Sequence, residues 1–231
     1  MTLAAVEDFP ALQAELVILD DAAAQTLAAI EPRVIEGLPI SHGESTGTAH
    51  VGLLVTSDAA KAAASATALR GQRQLVFTLL LADAPTQELA FPHLVCPELA
   101  PPLTALRRLL LEPSLIGIDF TDYAPLFRYP GRIGFAHRAV SFRTHLHETF
   151  SELGREIAAS GQRSSSMVVV LACGERFTEL PINTSGYFAQ IDDAATAILA
   201  PQAADGASEV MLGVYEAKDA DDFSASVFFR V

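Results

Sequence analysis

The residues best suited to chemistry are carboxylates placed at the ends of apolar runs. Asp119 and Asp122 stand three apart, between Ser114-Leu115-Ile116 and the apolar Tyr123–Phe127. Asp119 suits the cap of a helix running through Tyr123–Phe127. Asp20 and Asp21 follow the apolar run Glu15–Leu19, and Asp83 follows Leu75–Leu81. Carboxylates converging at strand ends suit a divalent cation or a cationic ligand.

Other reactive side chains fit no known chemical pattern. His137, His145 and His147 cluster, but a spacing of two puts His145 and His147 on different faces of a helix, and no metal-site pattern is matched. Glu148 and Glu152 share a helix face with Arg155 nearby and read as solvated charges. Ser164-Ser165-Ser166 lacks the context of an activated nucleophile. Arg107 and Arg108 could meet acids across an interface, although simple surface exposure accounts for them. Gly43-Glu44-Ser45-Thr46-Gly47-Thr48 has the composition of a phosphate loop but precedes a strand, where a phosphate loop follows one and opens a helix. Cys96 and Cys173 sit in or beside apolar runs and read as buried free thiols.

The elements that must carry these groups alternate. Glu15–Leu19, Val51–Val55, Leu75–Leu81 and His93–Cys96 read as strands. Ala22–Ile30 and the alanine-rich Asp58–Leu69 read as helices, with Asp58 a natural cap. Solid apolar strands alternating with helices imply a parallel sheet covered on both faces. After Pro97–Pro102, Leu103–Leu111 has its leucines on one side of a helix. Arg132–Ser141 and Met167–Cys173 are strands, while Thr144–Ala159 and Ala189–Leu199 are helices. Val210–Tyr215 and Ser224–Val231, joined by the acidic turn Glu216–Asp222, predict an antiparallel pair.

The chain has 231 residues, 50% hydrophobic and 19% charged, with a net charge of −13. That is a globular composition with room for one or two packed cores. The acidity argues against nucleic acid and anionic membrane partners. No basic residue precedes the apolar start of Met1–Asp8, which argues against a signal peptide and for the cytoplasm.

Residues 113–122, Pro113-Ser114-Leu115-Ile116-Gly117-Ile118-Asp119-Phe120-Thr121-Asp122, resemble the FtsZ catalytic loop, approximately P-G-L-I-N-V-D-F-A-D. Later segments are similar in the same order. Gly131–Phe135 resembles the strand opening the second FtsZ domain, and Thr144–Ala159 its first helix. Met167–Gly174 resembles the V-L-V-N-I-T-G-G strand and Phe188–Leu199 the next helix. Val210–Val214 resembles the I-I-F-G-A strand, and Ser224–Arg230 the closing strand. In the first half, Val51–Ala59 resembles a strand with its N-T-D-A turn.

The resemblance implies an FtsZ/tubulin-type α/β fold. Residues 1–112 would form a reduced, Rossmann-like parallel layer and 113–130 a catalytic-loop-like connection. Residues 131–231 would form an α+β domain with a mixed sheet. It also implies that Asp119 and Asp122 reach into the nucleotide pocket of a neighbouring subunit, with Gly117 replacing the asparagine of that loop. The two glycine-rich phosphate loops of the family are missing. Asp20-Asp21-Ala22-Ala23-Ala24 stands where the first should be, and Ala82-Asp83-Ala84-Pro85 where G-G-G-T-G-T-G should be. Triphosphate binding needs inward amides and a positive helix end, so GTPase activity and a nucleotide cofactor are not expected. The expected function is a non-catalytic interaction module whose partner is itself or an FtsZ-like polymer. The alternative is a small-ligand or metal-dependent protein using an altered pocket at the strand ends.

Overall fold

A computed structural model describes residues 12–45, 49–82, 89–116, 118–141, 146–159, 166–174, 185–201, 209–217 and 222–231. Its strands are β1 (Ala14–Ile18), β2 (Ile40–His42), β3 (Val51–Thr56), β4 (Leu75–Leu81), β5 (His93–Cys96), β6 (Ser114–Ile116), β7 (Arg132–Ser141), β8 (Ser166–Gly174), β9 (Glu209–Ala217) and β10 (Asp222–Arg230). Its helices are α1 (Asp21–Ala28), α2 (Ala59–Arg70), α3 (Ala100–Leu111), α4 (Phe120–Arg128), α5 (Leu146–Ala159) and α6 (Ser185–Leu199).

Among the described residues the strands join one 10-stranded sheet in the order β2-β1-β3-β4-β5-β7-β10-β8-β9-β6. The first five are parallel, as their solid apolar composition requires. The second five are mixed: β10 runs antiparallel to both β7 and β8, β8 and β9 are parallel, and β6 is antiparallel to β9. The halves meet where His93 and Leu94 of β5 pair with Arg132 and Ile133 of β7. The architecture is therefore α/β, a parallel N-terminal layer continued by a mixed C-terminal one.

Both faces of the sheet are covered. One continuous apolar cluster takes Leu16, Leu53 and Phe77 from the first half, Val168, Val170 and Phe228 from the second, and α1, α3 and α4 over them. Phe127 of α4 is the rivet, with its ring 5.0 Å from Phe77 and 5.1 Å from Phe228, both edge-on. On the other face, Ala62, Ala66 and Leu69 of α2 pack on Val17 and Leu54. Phe150, Leu153 and Ile157 of α5, with Ile191, Ala194 and Ile198 of α6, pack on Met167, Val169 and Leu171. Gly154 lets α5 and α6 touch, since a Cβ there would lie 2.4 Å from the Ile198 carbonyl oxygen.

One expectation is overturned. The last two strands do not pair with each other, because β8 lies between them, parallel to β9 and antiparallel to β10. The acidic turn joins them in sequence only. The central position of β10 buries Phe223, Val227 and Phe228 on both faces, which an outer hairpin would leave half exposed. Two shorter differences are that α3 begins at Ala100, its first turn tolerating Pro101 and Pro102, and that part of the catalytic-loop-like stretch is the strand β6.

Candidate functional site

The chain passes from β1 through α1 to β2 on one side, then returns to place β3 on the other side of β1. Such a reversal leaves a crevice at the carboxyl ends of the two strands, the usual ligand position in an open parallel sheet. Asp20 stands at that position, half-buried. It caps α1, its Oδ1 accepting from the Ala23 amide at 2.8 Å. Its Oδ2 accepts from the Thr56 hydroxyl at 2.5 Å and the Ser57 amide at 2.8 Å. Burial acts to raise the Asp20 pKa, but the bonds from Thr56, Ala23 and Ser57 together outweigh it and hold the carboxyl below its ordinary value.

The next turn is built in the same way. Asp58 caps α2, accepting from the Ala60 amide at 2.8 Å and the Lys61 amide at 3.2 Å. Thr56 bridges the two caps, its hydroxyl also accepting from the Asp58 amide at 2.9 Å. Two helix N-termini thus converge on this rim, and a carboxylate of the chain itself occupies each. Asp21 is exposed at the first position of α1, and Asp83 lies outside the described residues. Cys96, at the end of β5, is buried, which pushes its thiol up to about 12 and leaves it inert.

The opposite end of β1 carries a second carboxylate centre. Glu15 is 1% exposed. Its Oε1 accepts from the Ser41 hydroxyl at 2.7 Å, and its Oε2 from the Ser45 hydroxyl at 2.7 Å and from Arg73 Nη2 at 2.6 Å. Arg73 also donates to the Ala49 carbonyl and to Ser45. Ser45 belongs to the Gly43–Thr48 stretch, so its hydroxyl serves this ion pair. Thr46, Gly47 and Thr48 lie outside the described residues.

Asp119 and Asp122 open α4. The Asp119 amide donates to Asp122 Oδ2 at 2.8 Å, and both residues are exposed. They therefore close a helix start, and the carboxylates remain at the surface. Gly117 lies outside the described residues. Arg107 pairs with Glu112 and donates to the Glu36 carbonyl at 2.9 Å; Arg108 is 8% exposed. Neither is a plain surface charge: Arg107 is tied down on the half-buried stripe of α3, and Arg108 lies on its buried side. His137 Nδ1 lies 2.9 Å from Ser226 Oγ; burial, with Arg108 and Arg138 nearby, lowers its pKa. His147 reaches Asp193 at 2.9 Å on the surface. His145, Ser164 and Ser165 lie outside the described residues, and Ser166 is buried at the start of β8. Among the described residues no group of three or more His, Cys, Asp or Glu side chains is arranged to hold a metal ion. No helix among them is long and apolar enough to cross a membrane.

Sequence reasoning singled out Asp20 but missed its donors Thr56 and Ser57, and missed Glu15 and Arg73. The available signal was a glutamate inside an otherwise apolar buried strand.

No family model and no curated protein matches the chain. Among solved structures it is similar to an empty FtsZ dimer from M. jannaschii, at 12% identity over 90% of this chain and 66% of that one, with a TM-score of 0.44. It is similar to GDP-bound CetZ1 from Haloferax volcanii at 12% identity, over 94% of this chain and 64% of that one, with a TM-score of 0.45. GDP-form protofilaments of TubZ from Bacillus thuringiensis serovar israelensis match at 10% identity, over 79% and 62%, with a TM-score of 0.48. The chain spans just under two thirds of the length of each of these three.

Proposed function

We propose that this chain is a non-catalytic, cytoplasmic module of the FtsZ/tubulin type that works by protein contact, docking on itself or on an FtsZ-like polymer and modulating its assembly. The observation that carries the reading is Asp20. A nucleotide phosphate at the switch point would need the Ala23 and Ser57 amides and the Thr56 hydroxyl, and the Asp20 carboxylate already accepts from all three. A second anion there would meet like charge and would have to displace Asp20 from the donors it already uses. Residues 1–112 then serve as a reduced nucleotide-domain-like layer, and 131–231 as the α+β half. Residues 113–130 are the catalytic-loop-like connection, and its exposed stretch at Asp119–Asp122 does the docking. Nucleic acid and membrane have no part in this reading.

The competing reading, a cation held by the acidic rim, has less support. Asp20 is committed to three donors and Asp21 is exposed at a helix start.

Two measurements test the proposal. Calorimetric titration of GTP and GDP with magnesium is expected to give no binding heat, and micromolar binding would overturn the lost-pocket reading. Light scattering of an assembling FtsZ polymer is expected to change on adding the chain. Asp119→Ser, which keeps a good helix cap but removes the charge, should weaken that effect. An unchanged polymer would sink the docking reading.

A further inference from the structure

At the amino ends of β4, β5 and β7, opposite the Asp20 rim, lies a cleft of about 320 Å³ whose charged walls are Arg70, Arg73 and Arg128. The chain holds 28 acidic residues against 15 basic ones, yet among the described residues no Asp or Glu lines this cleft. Two guanidinium groups, of Arg70 and Arg128, can face this cleft in so acidic a protein, because the Arg73 side chain is wholly buried.

Their partners differ in a way that matters. Arg73 is wholly buried and neutralised by Glu15, so its charge does not reach the cleft; its Nε is buried with no hydrogen-bond partner among the described residues. Arg128 Nε donates to the Gln74 carbonyl at 3.1 Å, which holds its guanidinium at the rim. Arg70 is exposed at the end of α2. Among the described residues neither Arg70 nor Arg128 pairs with a carboxylate. The cleft thus presents two guanidinium forks with no carboxylate partner among the described residues, Arg128's lying 5.7 Å from the Phe120 ring centroid, beside an apolar floor of Leu75, Pro92 and Pro130. Its volume falls at the small end of the range for small-molecule sites, roughly 300–1,000 Å³. Guanidinium forks match oxyanions in shape as well as charge.

We propose that this cleft binds a small oxyanion, a phosphate or carboxylate group on a compact molecule, gripped by Arg70 and Arg128. The proposal does not depend on the state of the Asp20 rim.

The test is calorimetric titration of the full chain with pyrophosphate and, separately, with citrate, at low and high salt. Saturable binding of either probe is expected, weakening as salt screens the exposed charges. Binding of pyrophosphate alone identifies a phosphate source, and of citrate alone a carboxylate source. Arg70→Gln, at an exposed helix end, should fold normally and bind at least about tenfold more weakly, the loss expected for a charged hydrogen bond. Arg155→Gln, at an exposed position on α5, should bind as the native chain does. No saturable heat from either probe at millimolar concentration would overturn the proposal. So would binding that survives Arg70→Gln unchanged, because the anion would then sit elsewhere.

Discussion

Two carboxylates flank the same strand, and the chain treats them differently. Glu15 at the start of β1 is sealed from water and bound to a cation, Arg73, with serine hydroxyls completing its shell. Asp20 just past its end is only partly buried and takes neutral donors from two helix starts and a threonine. The first arrangement is fold glue, since an isolated charge in that place would be intolerable. The second occupies a position where parallel sheets hold ligands. The lesson is that a rim can be read only once the owner of each donor is known. The acid-rich rim is satisfied from within, and the end of the layer that looks merely structural keeps positive charge with no carboxylate partner among the described residues.

The contrast is most sharply broken at Glu15. Glu15→Ala leaves Arg73 buried without its counter-charge and should cost about 3–5 kcal/mol, read as a lowered denaturant midpoint. The double change Glu15→Leu with Arg73→Met should recover much of that loss, because a buried pair replaced by apolar groups is often neutral or better. If the single change proves mild, Glu15 is not the glue described.

Next in size is Asp20. Asp20→Ala removes a cap and a bridge and should cost about 1–2 kcal/mol. Its folded-state pKa is depressed, so the native protein binds fewer protons there than the unfolded chain. The stability it supplies is complete above the ordinary carboxylate value of about 4 and is lost as pH falls through the folded value. Asp20→Asn cannot titrate and should flatten that acid limb. His93 adds a separate slope: burial, its largest influence, leaves its pKa lowered. Stability linked to it is complete above about pH 6.5 and declines as pH falls below that value and the unfolded imidazole charges. His93→Gln should remove this slope while leaving the Asp20 limb in place.

Smaller still is Asp58→Ala, which leaves the α2 amides uncapped and should cost about 1 kcal/mol, with no change in the acid limb assigned to Asp20. Smallest is Arg70→Gln, expected within about 0.5 kcal/mol of the native protein as a surface change. A large thermal shift there would mean Arg70 is structural, and the distinction between the two ends would blur.

Much of the fold is legible in the residues. Leu75–Leu81 has no polar face, which requires burial on both sides, and Asp58 before an alanine run announces a helix start. The partner of a strand is not so written. Ser224–Arg230 and Val210–Tyr215 look like a hairpin because a short acidic turn joins them, but burial on both faces drives β10 inward between β7 and β8. Ile40–His42 and Ser114–Ile116 are too short to show a period and exist only because a neighbour lends its edge. The Glu15–Arg73 pair joins residues 58 apart, and no local pattern signals such a contact. Asp20 is legible as an obstacle to phosphate; its donors from the β3 turn are not, since only folding brings them together.

The place of β10 has a consequence for how the protein is made. The parallel layer has all its strands once Cys96 has been synthesised, and it can pack as soon as α3 emerges. The mixed layer cannot close until Asp222–Arg230 has left the ribosome, because that segment fills the gap between β7 and β8. At ordinary elongation rates β7 waits on the order of ten seconds with a bare strand edge. A chain stalled in that interval would carry a fully paired parallel layer beside an adhesive edge, with part of its core still missing, an obvious client for a chaperone at the tunnel exit.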